Sequence, residues 1–334
     1  MEKRYKLPLD TVIRITGDSF GDSFIILLED YLLANMCTCT SENVFHWTIK
    51  VICGVPKIDY TKFNEFSPTP DFDAKIKQMN NIEFVILFEK AASLCFWNTK
   101  QKIVKYYCNT DINNKSMVQD IYSIVRWIMV YCVKDKEWAI LHGVALEFKG
   151  KGILILGEKG SGKTTLGSAL LEKGAKYISS DRAIVWQDDN RLYHVMGWIG
   201  TYRLTKRSIN LVLNFSKKMK IKDLLNTVDV FQDKYRFPPY ALIKALGWEK
   251  KGKAIIDGVI VLNRDNKTND NLYEISQNEF VAAVRCSIVN TNFPWGDGEL
   301  VLNKEFFSFA LQADTLSTAC IISKLEEILD YDIK

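Results

Sequence analysis

No stretch of this sequence approaches 18 uninterrupted apolar residues, so no membrane-spanning helix is expected. Strong charge of one sign is missing too. The net charge of +4 is too small to argue for a nucleic-acid partner or a membrane surface. The opening residues, Met-Glu-Lys-Arg-Tyr-Lys, are charged with no apolar run behind them. No signal peptide is visible, and a cytoplasmic protein is expected. There is no internal repeat and no low-complexity tract. Proline is scarce at seven residues, and three of them fall between Val55 and Lys77, which reads as irregular. The eight cysteines are scattered, with Cys37-Thr-Cys39 the only close pair. His46 alone does not complete a zinc site with them, so reduced thiols are expected rather than a metal or redox pair.

What is present is ordinary for a globular protein: 47% hydrophobic and 25% charged residues. A length of 334 residues suggests two domains. Gly157-Glu-Lys-Gly-Ser-Gly-Lys163-Thr164 matches the phosphate-loop pattern at every fixed position. The apolar run Ile153-Leu-Ile-Leu156 ahead of it reads as a buried strand. Thr164 to Lys173 reads as a helix, and Gly174 ends it. The glycines let backbone N–H groups approach phosphate oxygens, and the helix N-terminus adds further donors. Lys163 can reach the β- and γ-phosphates, and the Thr164 hydroxyl can ligate Mg²⁺. Gly157, Gly160, Ser161, Gly162, Lys163, Thr164 and Thr165 are the expected nucleotide contacts. The loop alone does not separate a kinase from an ATPase or a GTPase switch.

The flanks narrow the choice. Leu141-His142-Gly143-Val144 lies one hairpin upstream and Ser180-Asp181-Arg182-Ala183 lies just downstream. This arrangement, from about Ala139 to Trp186, resembles the catalytic domain of HPr kinase/phosphorylase, which phosphorylates a protein serine. The resemblance implies an α/β fold with a P-loop nucleotide-binding core of the HPr kinase/PEP carboxykinase-like type. It places His142 at the active site near the catalytic carboxylates, in a supporting role. On spacing alone, a histidine in an apolar strand is more often a packed core residue. Asp181 is the expected general base, a Mg²⁺ contact through water, or both; the alternative is a helix cap or turn residue. The family has two adjacent aspartates here. This chain has Ser180 in place of the first, which puts the reverse, phosphorylase-type reaction in doubt.

Residues 1–110 read as a small divergent α/β domain, a lid or an acceptor-docking surface, and residues 111–334 as the kinase domain. In the first, 46–53, 82–88, 93–97 and 102–107 read as strands, with a turn at 98–101, and the stretch from Ser19 to Leu33 mixes strand and helix signals. Ser116 to Val133 reads as a helix capped by Ser116 and Gln119 that packs on the nucleotide-binding sheet, with Asp120 and Arg126 off its apolar stripe. Ala139 to Phe148 reads as one strand carrying His142. Asp188-Asp-Asn190 is another home for a carboxylate pair, but better read as a hairpin turn. Lys206, Arg207 and Lys217-Lys218-Met-Lys220 form a basic stretch, a solvated face or a surface for an acidic acceptor. In Asp233-Lys-Tyr-Arg236, Lys234 and Arg236 could present cations to a γ-phosphate or to the acceptor; a charged loop is the alternative. Ile255 to Leu262 reads as a buried strand, Ser276 with Glu279 caps a helix to about Val289, Trp295-Gly-Asp-Gly298 is a loop, and Thr315 to Asp330 reads as a terminal amphipathic helix.

The resulting expectation is Mg²⁺-dependent transfer of the γ-phosphoryl group of ATP, with GTP the other nucleotide, to a Ser or Thr hydroxyl. Asp181, His142, Lys163 and Arg236 are the expected catalytic residues, and Thr164 and Asp181 the metal ligands. HPr kinase homologues also act as tailoring kinases on precursor peptides, so the expected partner is a peptide or small-protein acceptor, with a homo-oligomer allowed. The rival readings are a small-metabolite kinase and a nucleotide-dependent switch that transfers nothing.

Overall fold

The computed structural model describes residues 2–17, 22–39, 46–54, 67–68, 74–80, 83–88, 93–108, 114–136, 138–262, 272–289 and 310–313. The loop at Trp295, the terminal helix expected from Thr315, Cys320 and most of the stretch from Val55 lie outside the described residues. The chain is mixed α/β and divides into two compact units, one of residues 1–134 and one that starts at Asp135.

The first unit contains β1 (Glu2–Lys6), β2 (Val12–Gly17), α1 (Asp22–Leu32), β3 (Cys37–Thr38), β4 (Trp47–Cys53), β5 (Ser67–Pro68) and β6 (Ala74–Gln78). It continues with β7 (Glu83–Phe88), β8 (Ser93–Asn98), β9 (Ile103–Cys108) and α2 (Asn114–Val133). The strands form one sheet in the order β3-β1-β2-β4-β9-β8-β7-β6-β5. Alternation of buried and exposed residues along β7 and β9 gives that sheet one covered face. The expected turn after β8 is present, with Asn98 Oδ1 accepting from Gln101 N at 2.8 Å. The ambiguous stretch near Ser19 resolves as α1, whose Phe24, Leu28 and Leu32 are buried.

The long helix α2 corrects two expectations. It begins at Asn114, so Ser116 is in its first turn and does not cap it. It also packs on the first unit's sheet: Trp127 stacks on Phe88 at 5.9 Å, and Tyr131 meets Trp47 edge-on at 5.2 Å. The boundary therefore falls after Lys134, not near residue 110. Asp120 is buried on the packed side, where its Oδ2 accepts from Ser93 Oγ at 2.6 Å and Tyr106 OH at 2.7 Å. Helical periodicity placed Asp120 off the apolar stripe because it counts a carboxylate as polar, whereas two hydroxyl donors let it be buried.

The second unit contains β10 (Trp138–Leu141), β11 (Val144–Phe148), β12 (Lys151–Gly157), α3 (Lys163–Glu172), β13 (Lys176–Ser179), β14 (Ala183–Gln187) and β15 (Tyr193–Gly197). Then come β16 (Tyr202–Thr205), α4 (Lys206–Val212), α5 (Phe215–Lys220), α6 (Lys222–Thr227), β17 (Asp229–Phe231) and β18 (Lys234–Phe237). The described part closes with α7 (Pro239–Leu246), β19 (Glu249–Lys250), β20 (Lys253–Leu262), β21 (Leu272–Glu274), α8 (Gln277–Ser287) and β22 (Ala310–Ala313). The main sheet runs β10-β14-β15-β20-β12-β11-β13-β19, with β22 also on β20. Strand β12 is parallel to β20 and antiparallel to β11. Its five central residues are all buried, as both faces of a central strand require.

The expected single strand from Ala139 to Phe148 is broken at His142-Gly143. β10 pairs with β14, while β11 pairs with β12 and β13. A Cβ on Gly143 would lie 2.9 Å from Ile155 O, so the crossing needs glycine. Helix α8 carries the expected capping box of Ser276 and Glu279. Asp188 closes the β14–β15 hairpin, its Oδ1 accepting from Asn190 N and Leu192 N, each at 2.9 Å, and its Oδ2 meeting His194 Nε2 at 2.8 Å.

Candidate active site

Strand β12 delivers the chain into a glycine-rich loop, and α3 leaves it. Gly157, Gly160 and Gly162 have φ of 138°, 86° and 102°, values that L side chains rarely adopt. At Gly157 space is closed as well, since a Cβ would sit 2.3 Å from Leu262 O on the parallel strand β20. At Gly162 it is open: nothing lies within 4 Å of the Cβ position. Gly162 is the N-cap of α3 and gives no side-chain cap, so the first-turn N–H groups keep their capacity for an anion. Helix α3 ends in a Schellman motif at Gly174, with Ala175 N bonded to Leu170 O and Gly174 N to Leu171 O. Gly167 lets the helix lie close on β11; a Cβ there would be 2.6 Å from Val144 Cγ1.

Lys163 is buried, and its ammonium donates to Gly157 O at 2.7 Å and Glu158 O at 2.8 Å. Burial pushes its pKa down to about 8, opposed by Asp181 and assisted by Lys234. Thr164 Oγ1 lies 3.5 Å from Ser180 O. Thr165 Oγ1, Ser208 Oγ and Thr205 Oγ1 form a hydroxyl chain with steps of 2.8 and 2.9 Å. Ser161 Oγ is buried without a hydrogen-bond partner among the described residues.

His142 and Asp181 come from the ends of neighbouring elements. The break after β10 exposes His142 in part, and Gly143 N donates to Asp181 O at 3.1 Å, tying the two turns together. His142 Nδ1 lies 3.7 Å from Asp181 Oδ1. Burial holds the imidazole below its ordinary pKa against the pull of Asp181, and Lys163, Arg182 and Arg203 push the same way as burial. It is neutral at neutral pH. Ser180, where the family pattern has an aspartate, is buried, with Oγ 3.5 Å from Tyr177 OH.

These groups line one cleft of about 710 Å³. His142, Gly160, Gly162, Lys163, Thr164 and Thr165 form its floor with Ser180 and Asp181. Arg203, Thr205, Arg207, Ser208 and Lys234 form the other wall. That wall comes from the small sheet β16-β18-β17 and from α4. Thr205 is opposite Lys234 in its register, so Arg203 and Lys234 share a face of the sheet. Arg203 Nη1 is 3.7 Å from Asp181 Oδ1. Of the two cations flanking Tyr235, Lys234 lines the cleft and Arg236 does not; the Arg236 guanidinium lies over the Phe231 ring at 4.3 Å. Sequence reasoning missed Lys159, within the loop itself, and Arg203. An arginine inside Tyr-Arg-Leu-Thr carries no local mark, and only strand pairing with β18 brings it to the loop.

The residues fit a nucleoside triphosphate with Mg²⁺: left-handed glycines, an uncapped helix start and a lysine held by two loop carbonyls are donors arranged for phosphate. No protein-family model matches the chain. Curated relatives do. It is 41% identical to an HPr kinase/phosphorylase of Lactobacillus delbrueckii subsp. bulgaricus over 58 residues, 17% of this chain and 18% of that one. It is 26% identical to one of Streptococcus agalactiae over 102 residues, 30% of this chain and 32% of the relative. The match thus spans under a third of the first relative, at 18%, and about a third of the second, at 32%. A solved HPr(Ser) kinase/phosphatase from Coxiella burnetii aligns over 39% of this chain and 69% of its own at 16% identity, with a TM-score of 0.24, too low to carry an argument about the fold. Fold and cleft define a mixed α/β protein with a glycine-rich loop opening onto a cleft. Within that class, the stretch matched by the curated relatives is similar to HPr kinase/phosphorylase.

Proposed function

We propose that this protein is a phosphotransferase of the HPr kinase type that moves the γ-phosphoryl group of ATP to a serine or threonine hydroxyl of a peptide or small protein. The observation that carries the reading is the convergence of Lys163, Thr164, His142 and Asp181 on one cleft. Lys163 would exchange its two loop carbonyls for phosphate oxygens. Thr164 and Asp181 are the residues that would hold Mg²⁺, which when bound neutralises charge on the β- and γ-phosphates. Asp181 accepts the acceptor's proton as the hydroxyl oxygen bonds to phosphorus. The β–γ bridging bond breaks, and its electron pair leaves with ADP. Neutral His142 keeps Asp181 oriented without competing for the proton. With Ser180 in place of a second aspartate, the forward direction is the one this site supports.

The test is to incubate the full chain with Mg²⁺, labelled ATP and peptides encoded beside its gene, and to look for a mass gain of one phosphate. Lys163→Ala should abolish that gain. Nucleotide binding with no acceptor modified, and no effect of Asp181→Asn on ATP turnover, would favour the switch over the kinase.

A further inference from the structure

The basic stretch after β16 is not used by the phosphate chemistry. From Lys206 to Lys222 the chain holds six cations (Lys206, Arg207, Lys217, Lys218, Lys220 and Lys222) and no Asp or Glu. Basic helices alone are ordinary solvated surface. Here they surround large apolar side chains that face water: Phe215 is 78% exposed, Leu211 64% and Met219 50%. Phe215 and Met219 are four residues apart on α5 and share one face. Leaving three such side chains in water forgoes the hydrophobic free energy that covering them would release. An exposed apolar group rimmed by charge marks a surface that meets a partner.

We infer that the face formed by α4 and α5 is the docking surface for an acidic, apolar segment of the phosphoryl acceptor. Two observations choose this occupant. The first is charge complementarity. Glu172 holds Lys217 at 2.8 Å and Lys218 donates to Asn210 O, but Lys206, Arg207, Lys220 and Lys222 have no acidic partner among the described residues. The second is continuity with the cleft. Arg207, Ser208 and Leu211 of α4 line the cleft that holds Lys163 and Asp181. A chain lying along α5 and α4 therefore leads its hydroxyl to the loop. Acidic residues on the segment meet the lysines, and its apolar residues cover Phe215, Leu211 and Met219. The inference rests on the proposed function in one respect only, that the docked chain is also the phosphoryl acceptor.

The test uses the full chain without nucleotide. A short fluorescent peptide of Glu, Leu and a single Ser is titrated in, beside a counterpart with Lys for Glu. The acidic peptide should bind at least about tenfold more tightly, and less so as salt rises. Phe215→Ser with Met219→Ser should weaken it by about tenfold or more, as should Lys220→Glu with Lys222→Glu, while ATP affinity is unchanged. All four side chains lie on the surface, so folding is not at stake. Binding indifferent to both pairs of changes overturns the inference. So does displacement of the peptide by phosphatidylglycerol vesicles that bind more tightly, which would make the face a membrane contact. Adding Mg²⁺ and ATP separates the two readings. Peptide bound through this face but never phosphorylated counts against the kinase, whereas phosphorylation unaffected by the Phe215 and Lys220 variants counts against the docking surface.

Discussion

His142 Nδ1 and Asp181 Oδ1 are 3.7 Å apart, and the same carboxylate oxygen is 3.7 Å from Arg203 Nη1. One oxygen thus faces a neutral imidazole on one side and a permanent cation on the other. These two contacts hold the carboxylate at the mouth of the glycine-rich loop, where the proposed reaction would place a general base.

Asp181→Asn keeps the size and hydrogen-bonding reach of the side chain and removes its charge. We expect phosphoryl transfer to fall by about a hundredfold or more, the scale of losing a general base. ATP affinity by calorimetry should stay within a few-fold. A comparable loss in affinity would reassign Asp181 from proton transfer to binding.

Arg203 lies on the wall facing the loop, where charge would develop in the proposed phosphoryl transfer. Arg203→Ala should lower the rate by about ten- to a hundredfold with little change in ADP binding. Affinity for ADP with aluminium fluoride, a mimic of the transferring group, should fall in parallel with the rate. Equal losses for ADP and for the mimic would show a merely structural part.

Lys163 gives the site a pH dependence. Its pKa in the free protein is lowered to about 8, and contact with phosphate raises it again. The bound state then holds a proton that the free state has released, so affinity must fall as pH rises above about 8 and stay level below it. Calorimetry from pH 6.5 to 9.5 measures this directly. Proton uptake on binding, seen as a buffer-dependent enthalpy, should appear only on the alkaline side.

Asp120 controls stability in the first unit. Burial raises its pKa from 3.8 to about 6, although Ser93 and Tyr106 act against the rise. The folded state holds the proton more tightly than the unfolded chain, so this group's contribution falls as pH rises from about 4 to about 6. Asp120→Asn removes the buried charge and keeps an oxygen for both hydroxyls. It should be more stable than wild type at pH 7 by about 1–3 kcal/mol, with the advantage gone at pH 4. Urea unfolding at the two pH values tests it.

The phosphate loop, its strand and its helix were legible in the sequence because they depend on local constraints. Left-handed φ at Gly157, Gly160 and Gly162, an apolar run before them and a glycine stop at Gly174 all lie within one short stretch of chain. His142 and Asp181 were legible through their offsets from that loop. The breaks and partners were not. Nothing in Ala139 to Phe148 signals that two halves of an apolar run pair with different strands, β10 with the sequence-distant β14 and β11 with its hairpin neighbour β12. The same holds for α2, whose stripe fits any apolar sheet, and only the hydroxyls of Ser93 and Tyr106 reveal which one Asp120 is buried against. The sequence determined the local loop, with its positive-φ glycines and Lys163 at the start of α3. The tertiary structure decided which cations face it, because Arg203 and Lys234 reach the cleft by strand register and Arg236, two residues from Lys234, is drawn instead onto Phe231.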